Sequence, residues 1–144
     1  MLSTARKLLG TSAICSNDFF LPPTSKSGCS ALTNISVDEN NKVYDSRENC
    51  NAIIETASNE LIAGCSATVI PNSVQKIGFN AFSHCSNLTN IVIPDSVREI
   101  KDKAFQGCSA LTDIVIPDMV TEICSEAFED CKRLRSILIP LQFQ

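Results

Sequence analysis

The sequence lacks the features on which several functions depend. No apolar run approaches the roughly 20 residues that a membrane-spanning helix needs, so we predict no membrane span. There is one histidine, His84, and no Cys-x-x-Cys pair among the eight cysteines, so zinc-ligand spacings are absent. A cysteine nucleophile needs a neighbouring base, and His84 is expected to point away from an inward-facing Cys85. We therefore predict no catalytic residue, no metal and no cofactor.

Positive charge is also scarce. The chain has 12 Lys and Arg against 16 Asp and Glu, a net charge of −4 and a pI near 4.9. Basic residues near the C-terminus, such as Lys132 and Arg133, are interleaved with acidic ones such as Glu129 and Asp130. Recognition of a phosphate backbone requires clustered Lys and Arg. The sequence therefore predicts no nucleic-acid partner.

The second half of the chain contains a repeat with a period of 23 residues. A period of roughly 20–29 residues built on Leu and Ile is typical of a leucine-rich repeat solenoid. One such unit cannot bury its own apolar face, so neighbouring units must stack to form a core. We predict a solenoid of the α/β type, with mostly short parallel strands and short helical turns. The repeated columns are Phe82/Phe105/Phe128, Cys85/Cys108/Cys131, Leu88/Leu111/Leu134, Ile91/Ile114/Ile137, Ile93/Ile116/Ile139 and Pro94/Pro117/Pro140.

The repeat divides the chain into three stretches. Residues 1–28 show no period and are predicted to form a poorly ordered leader, in which Met1–Cys15 faintly resembles a short signal peptide. Residues 29–144 are predicted to form the repeat domain, with an expanded repeat at 29–67 and regular repeats at 68–144. Within the expanded repeat we predict three short strands separated by Asn- and Ser-bearing turns. These strands are Val43–Ser46, Ala52–Thr56 and Glu60–Ala63.

A regular unit can be interpreted position by position. Leu88, Ile91 and Ile93 are expected to face inward on a strand, and Pro94 ends that strand because it has no backbone donor. The rest of the unit is predicted to contain a second inward-facing segment, Val97 to Ile100, and a short helical turn at Ala104 and Phe105.

The cysteines allow more than one interpretation. Cys85, Cys108 and Cys131 are predicted to form a ladder of buried thiols, because Cys is among the most buried residue types. Cys50 and Cys65 flank a hairpin-like stretch, so a disulfide between them stays open as an alternative.

The repeat resembles a known family in its detailed sequence. One period of the sequence is similar to the repeat of the BspA-type (Treponema-type) leucine-rich proteins. It reads Ile70-Pro71-x-Ser73-Val74-x-x-Ile77-Gly78-x-x-Ala81-Phe82-x-x-Cys85-x-x-Leu88-x-x-Ile91-x-Ile93-Pro94. The segment from Tyr44 to Cys65 resembles an expanded repeat of the same proteins. The sequence departs from the pattern where Lys101 and Cys124 replace Gly78, and where Met119 replaces Ser73.

The resemblance carries expectations about function. It implies a curved solenoid on secreted or cell-surface proteins of bacteria and some parasitic protists, associated with adhesion to host or microbial surface proteins. It offers no shared catalytic residue. We therefore predict a non-enzymatic interaction module whose partner is a protein or a glycan. The alternative is an intracellular scaffold that regulates a partner protein.

Residues on the outer side of the predicted strands are the candidate contacts. If Ile91 and Ile93 face inward, then Val92 faces outward, and so do its copies Val115 and Leu138. An exposed apolar column with polar neighbours is typical of an interaction site, although β-branched residues also favour strands without any partner. The predicted partner-binding residues are Asn90, Val92, Asp113, Val115, Arg135 and Leu138.

The C-terminal end of the array shows no polar capping repeat, which solenoids need for solubility. After Pro140 the sequence stops at Gln144. We therefore expect either a fragment of a longer protein or self-association through this end.

Overall fold

The computed structural model describes residues 32–143, and the predicted leader and signal-like segment lie outside them. This part of the chain contains eight short β-strands and two 3₁₀ turns, Arg47–Asn49 and Leu141–Phe143, and no α-helix. The strands are β1 (Tyr44–Asp45), β2 (Ala52–Glu55), β3 (Glu60–Gly64), β4 (Lys76–Ile77), β5 (Glu99–Ile100), β6 (Asp113–Val115), β7 (Glu122–Ile123) and β8 (Ser136–Leu138).

The strands form two sheets whose register follows the sequence period. The larger has the order β1-β2-β3-β4-β5-β7, antiparallel from β1 to β3 and parallel from β3 onward. The smaller pairs β6 with β8 in parallel, with Ile114 opposite Ile137. Paired residues in the parallel strands β5 and β7 are also one period apart, as in Ile100 opposite Ile123. One coil per period therefore places equivalent residues side by side, which confirms the solenoid.

The strands β1 and β2 form a hairpin that Arg47 ties to Ser73, beyond β3 in the sequence. The three strands predicted between residues 43 and 63 are confirmed as β1, β2 and β3, with no end shifted by more than one residue. The Arg47 guanidinium lies 2.6 Å from the Asp45 carboxylate. It also donates to Asn59 Oδ1 at 2.8 Å and to Ser73 Oγ at 3.1 Å. The hydrogen bond from Arg47 lowers the pKa of the Asp45 carboxyl group.

The interior is filled by the predicted column of aromatic rings. The ring centroids of Phe82 and Phe105 are 5.1 Å apart, and those of Phe105 and Phe128 are 5.4 Å apart. The ring planes are parallel within 3° and 1°. Both distances are close to the roughly 4.8 Å spacing of adjacent strands. Phe82 and Phe105 are completely buried, and Phe128 is half-buried.

The thiol ladder beside the rings is confirmed as buried at Cys85 and Cys108, whereas Cys131 is half-buried. Its thiols bond to the backbone. Cys108 Sγ donates to the carbonyl oxygen of Phe82 at 3.1 Å. Cys131 Sγ makes the same contact with the carbonyl oxygen of Phe105, also at 3.1 Å. Each thiol therefore reaches the coil before its own. A small side chain with a weak donor suits this position, because it fills the interior and partly satisfies a buried acceptor.

Two details of the predicted unit were wrong. The segment at Ala104 and Phe105 is a series of turns and not a helical turn. The Phe105 amide donates to Ala127 O in the next coil at 2.8 Å, and Ala104 O accepts from the Phe82 amide at 2.7 Å. These groups bond between coils, so they are not available for a helix. The strand expected at Ile91–Ile93 is also absent, whereas its copies form β6 and β8.

Gly78 is glycine because of a close approach and not because of a left-handed backbone. A Cβ atom at this position would lie 2.7 Å from the carbonyl oxygen of Leu61 in β3. Among the glycines of the described part of the chain, only Gly107 has a positive φ, 71°. The change from Gly78 to Lys101 and Cys124 in later coils is therefore compatible with the same backbone.

Candidate partner-binding face

The outward-facing apolar column is exposed, as the alternation of the strands predicts. Val92, Val115 and Leu138 are 80%, 58% and 64% exposed. Their neighbours Ile91 and Ile114 point inward and are buried. Successive side chains of an extended segment point to opposite sides, so the buried isoleucines fix the outward direction of Val92 and Val115.

Val69 belongs to the same column, although the sequence reasoning missed it. It is 73% exposed and lies one period of 23 residues before Val92. The signal was present in the repeat itself, because 69, 92, 115 and 138 are evenly spaced. We define the apolar column as Val69, Val92, Val115 and Leu138.

The polar residues predicted beside the column are exposed as well. Asn90 and Asp113 occupy equivalent positions in successive coils, two residues before Val92 and Val115. Arg135 is exposed in the row next to them, and its amide donates to Thr112 O at 2.8 Å. The carboxylate of Asp113 makes no ion pair with any residue in 32–143. The face therefore combines an apolar column with polar side chains that are free to contact a partner.

A groove of about 620 Å³ opens beside the N-terminal end of the apolar column. Ser66–Ile70 lines one side, and Asn90–Asp95 lines the other. Val69 and Val92 supply apolar surface, and Asn72 supplies an amide. This volume lies within the range of roughly 300–1,000 Å³ that is typical of ligand pockets.

The backbone along one side of the groove is unpaired. Within residues 32–143, the amides and carbonyls of Asn90 to Ile93 make no hydrogen bond. The ladder to the next coil starts with Thr112 N–H donating to Thr89 O at 3.3 Å and goes no further. In the two following coils the equivalent segments are paired as β6 and β8. The segment 90–93 thus leaves its backbone groups open to a partner.

A second cluster of polar groups lies at the edge of the larger sheet. Ligand atoms of Glu99, Glu122 and Cys124 all lie within 4.8 Å of one another. Lys76 Nζ is 3.1 Å from the Glu99 carboxylate and balances its charge. Burial and the nearby Glu122 carboxylate raise the pKa of the Cys124 thiol, which disfavours the thiolate that a metal would need. We assign no metal to this cluster.

All six cysteines of the described residues are free thiols. Cys50 and Cys65, for which a disulfide was left open, are buried in separate apolar clusters and unbridged. Burial raises the pKa of Cys85 to about 12, and it raises the pKa of Cys108 as well.

We predict that the ladder thiols resist alkylation in the native protein. The thiolate is the reactive form, and at pH 8 burial keeps Cys85 and Cys108 protonated and covered. A maleimide should therefore label the half-buried Cys124 well before either of them. Peptide mapping by mass spectrometry after timed labelling measures the order. Equal labelling rates at Cys108 and Cys124 would show that the ladder is accessible, contrary to the structure.

The fold and the face together define the class of protein. Stacked coils of 23 residues, apolar columns of Leu and Ile inside and an exposed face outside describe a leucine-rich repeat solenoid. Residues 62–144 match the family model described as "BspA type Leucine rich repeat region", in six copies. This match covers more than half of the chain, so the chain belongs to the BspA-type leucine-rich repeat family.

Solved structures of leucine-rich repeat proteins resemble the chain. One from Bacteroides ovatus is 28% identical, with a TM-score of 0.56 over 83% of this chain and 28% of that one. One from T. pallidum is 35% identical, with a TM-score of 0.41 over 50% of this chain and 44% of that one. The chain thus spans less than half the length of either protein. No curated protein matches it.

The family has consequences for the class of function. It indicates a protein-interaction module. BspA-type proteins are typically surface-associated. No helix within residues 32–143 is long and apolar enough to cross a membrane.

Proposed function

We propose that the chain is a secreted or cell-surface adhesion module that binds a protein on a host or microbial surface, or less favourably a glycan. Contact is made through the apolar column and its polar neighbours Asn90, Asp113 and Arg135. The module needs no cofactor and carries out no reaction. The observation that carries the proposal is the exposure of the apolar column, whose members Val92 and Val115 lie between buried isoleucines.

The energetics of apolar burial support a contact at this face. Apolar side chains as exposed as Val92 and Leu138 contribute nothing to the core. Burial of apolar surface against a partner stabilises a complex by roughly 25 cal/mol per Å² before the cost of association is subtracted. The polar side chains beside the column supply hydrogen bonds at the rim, as in other protein interfaces. The column therefore offers both affinity and orientation.

We predict that Val115→Asp abolishes binding to its target surface and leaves the circular dichroism spectrum unchanged. The carboxylate would have to be desolvated at the centre of the interface, where a charge is unfavourable. The assay is flow cytometry of cultured epithelial cells incubated with the fluorescently labelled protein. Phe79→Asp is the matched control, because Phe79 is 49% exposed outside the column and its change should preserve binding. Unaltered binding by Val115→Asp would contradict the proposed face.

The second candidate function is an intracellular scaffold that uses the same face. The abundance of free thiols is compatible with a reducing compartment. Expression of the full gene with its native upstream region, followed by fractionation, separates the two functions. Export supports adhesion, and retention in the cytosol supports the scaffold.

We also propose that the last coil contacts a second copy of the chain. Leu134 is half-buried, and Ile137 and Ile139 are 36% and 45% exposed, whereas their copies in earlier coils are buried. We predict a concentration-dependent increase in mass by analytical ultracentrifugation, which Ile139→Asp should reduce. A monomer at every concentration would exclude this contact.

A further inference from the structure

The unpaired backbone of residues 90–93 lies along an open groove. Together these two features indicate what kind of ligand would bind there. Buried or half-buried backbone groups are almost always hydrogen-bonded in folded proteins. Here the amides and carbonyls from Asn90 to Ile93 have no partner in residues 32–143, although Ile91 and Ile93 are 8% and 5% exposed. The groove of about 620 Å³ beside them gives access from solvent.

We propose that this groove binds an extended peptide segment with basic residues, which pairs with the backbone of Asn90–Ile93. This proposal rests on the proposed function and names the chemistry of the partner at the N-terminal end of the face. An extended chain presents alternating amides and carbonyls at the spacing that residues 90–93 require. Addition of a strand to open backbone groups is a common mode of peptide recognition.

The side chains around the groove indicate which side chains and what length the peptide would have. Val69 and Val92 are 73% and 80% exposed and can cover alternate apolar side chains of the peptide. Four extended residues span about 13 Å, so a segment of four to six residues is long enough to pass along Asn90–Ile93. Asn72 and Asn90 add side-chain amides at the edge of the groove.

The charge of the groove favours a basic peptide. Among residues 32–143, Asp95 is the one ionisable residue that lines the groove, and it is exposed. Its carboxylate makes no ion pair within residues 32–143, because Arg98 donates to the carbonyl oxygens of Asp95 and Val97 at 2.6 and 3.3 Å. Asp113 and Asp118 are exposed in the next coil and also make no ion pair with the described part of the chain. Lys or Arg in the peptide would therefore meet uncompensated negative charge.

The test is a titration of ¹⁵N-labelled protein with the peptide acetyl-Lys-Val-Thr-Val-Thr-Lys-amide, followed by NMR. We expect the largest chemical-shift changes at the amides of Ser66–Ile70 and Asn90–Asp95. A matched peptide with N-methyl groups on both valines keeps every side chain and loses two backbone donors. We expect it to bind about tenfold more weakly, as the loss of two hydrogen bonds implies. Replacement of both peptide lysines by glutamate, or Asp95→Lys in the protein, should also weaken binding.

The outcomes separate this proposal from the proposed function. Absence of shift changes in the groove, or equal binding of the N-methylated peptide, would overturn the peptide site. Loss of cell binding in Val115→Asp would still support the face in that case. Conversely, groove shifts that depend on the peptide amides support the site even if the labelled protein binds no cell. Shift changes confined to the last coil would also overturn the proposal.

Discussion

Phe105→Ala is expected to lower the free energy of unfolding by about 3–5 kcal/mol. The ring is completely buried and is stacked on both sides, at 5.1 Å from Phe82 and 5.4 Å from Phe128. Its removal leaves a cavity in the middle of the column, and the rings on either side are held by their own coils and cannot close it. The lost transfer free energy of the ring and the free-energy cost of the cavity therefore both destabilise the folded state. Urea unfolding, followed by circular dichroism, measures the change.

The control for this prediction is Phe79→Ala. Phe79 is 49% exposed, so its truncation should alter the free energy of unfolding by less than about 0.5 kcal/mol. Phe128→Ala should give an intermediate loss, because Phe128 is half-buried and has a ring on one side. A loss below about 1 kcal/mol for Phe105→Ala would mean that the ring is not part of a packed column.

Ile114→Asp is expected to prevent folding. Ile114 is 3% exposed and lies between the buried Ile91 and the following coil at Ile137. A carboxylate at this position would have no cation or donor to replace water, so its burial costs several kcal/mol in addition to the lost apolar contact. This sum is comparable to the whole stability of a typical domain, roughly 5–15 kcal/mol. The amide spectrum should therefore collapse to the dispersion of an unfolded chain.

Val115→Asp, one residue away, is the matched comparison for the register. Val115 is 58% exposed on the opposite side of β6, so the same carboxylate should remain solvated and the fold should persist. The pair isolates the direction of the side chain, because the substitution introduces the same residue in the same strand. If Val115→Asp unfolds the protein and Ile114→Asp does not, the strand faces the other way and the proposed face is buried.

The core residues could be predicted because the same apolar residues return at every period of the repeat. When Phe82, Phe105 and Phe128 return at one period, only side-by-side stacking places all of them in one interior. The period of the sequence alone therefore predicts the ring column, the thiol ladder and the exposed column. The same argument could have extended the exposed column to Val69, but the preceding coil departs from the repeat pattern elsewhere.

Features that depend on bonds between coils could not be predicted from one unit. The amide of Phe105 bonds to the next coil, so a turn replaced the expected helical turn. The strand at 91–93 is lost although its sequence is as favourable as that of β6, because pairing depends on where the neighbouring backbone lies. The hydrogen bonds from Cys108 and Cys131 to carbonyls of the preceding coil are of the same kind. Composition indicates that these thiols are buried, but not which acceptor they reach.

The exposed face and the groove are expected to bind different parts of a partner. Regular coils hold Val115 and Leu138 on paired strands, and the coil at 90–93 leaves its backbone open beside Val92. We expect the paired part to bind a folded partner surface and the open part to capture an extended segment of the same partner. The domain division predicted from the sequence, with an expanded repeat at 29–67 before regular coils, remains a proposal. It would place the groove close to the junction between the two.

The stacking of near-identical coils is tested most directly by the distances between the three repeated phenylalanine rings. In a sample labelled with ¹³C only in the rings of phenylalanine, NMR should show nuclear Overhauser contacts between Phe82 and Phe105 and between Phe105 and Phe128. The 5.1 and 5.4 Å centroid distances place ring protons of each pair within range. Direct contacts between Phe82 and Phe128 should be absent. If Phe105 showed contacts to neither ring, the coils would not be stacked in register.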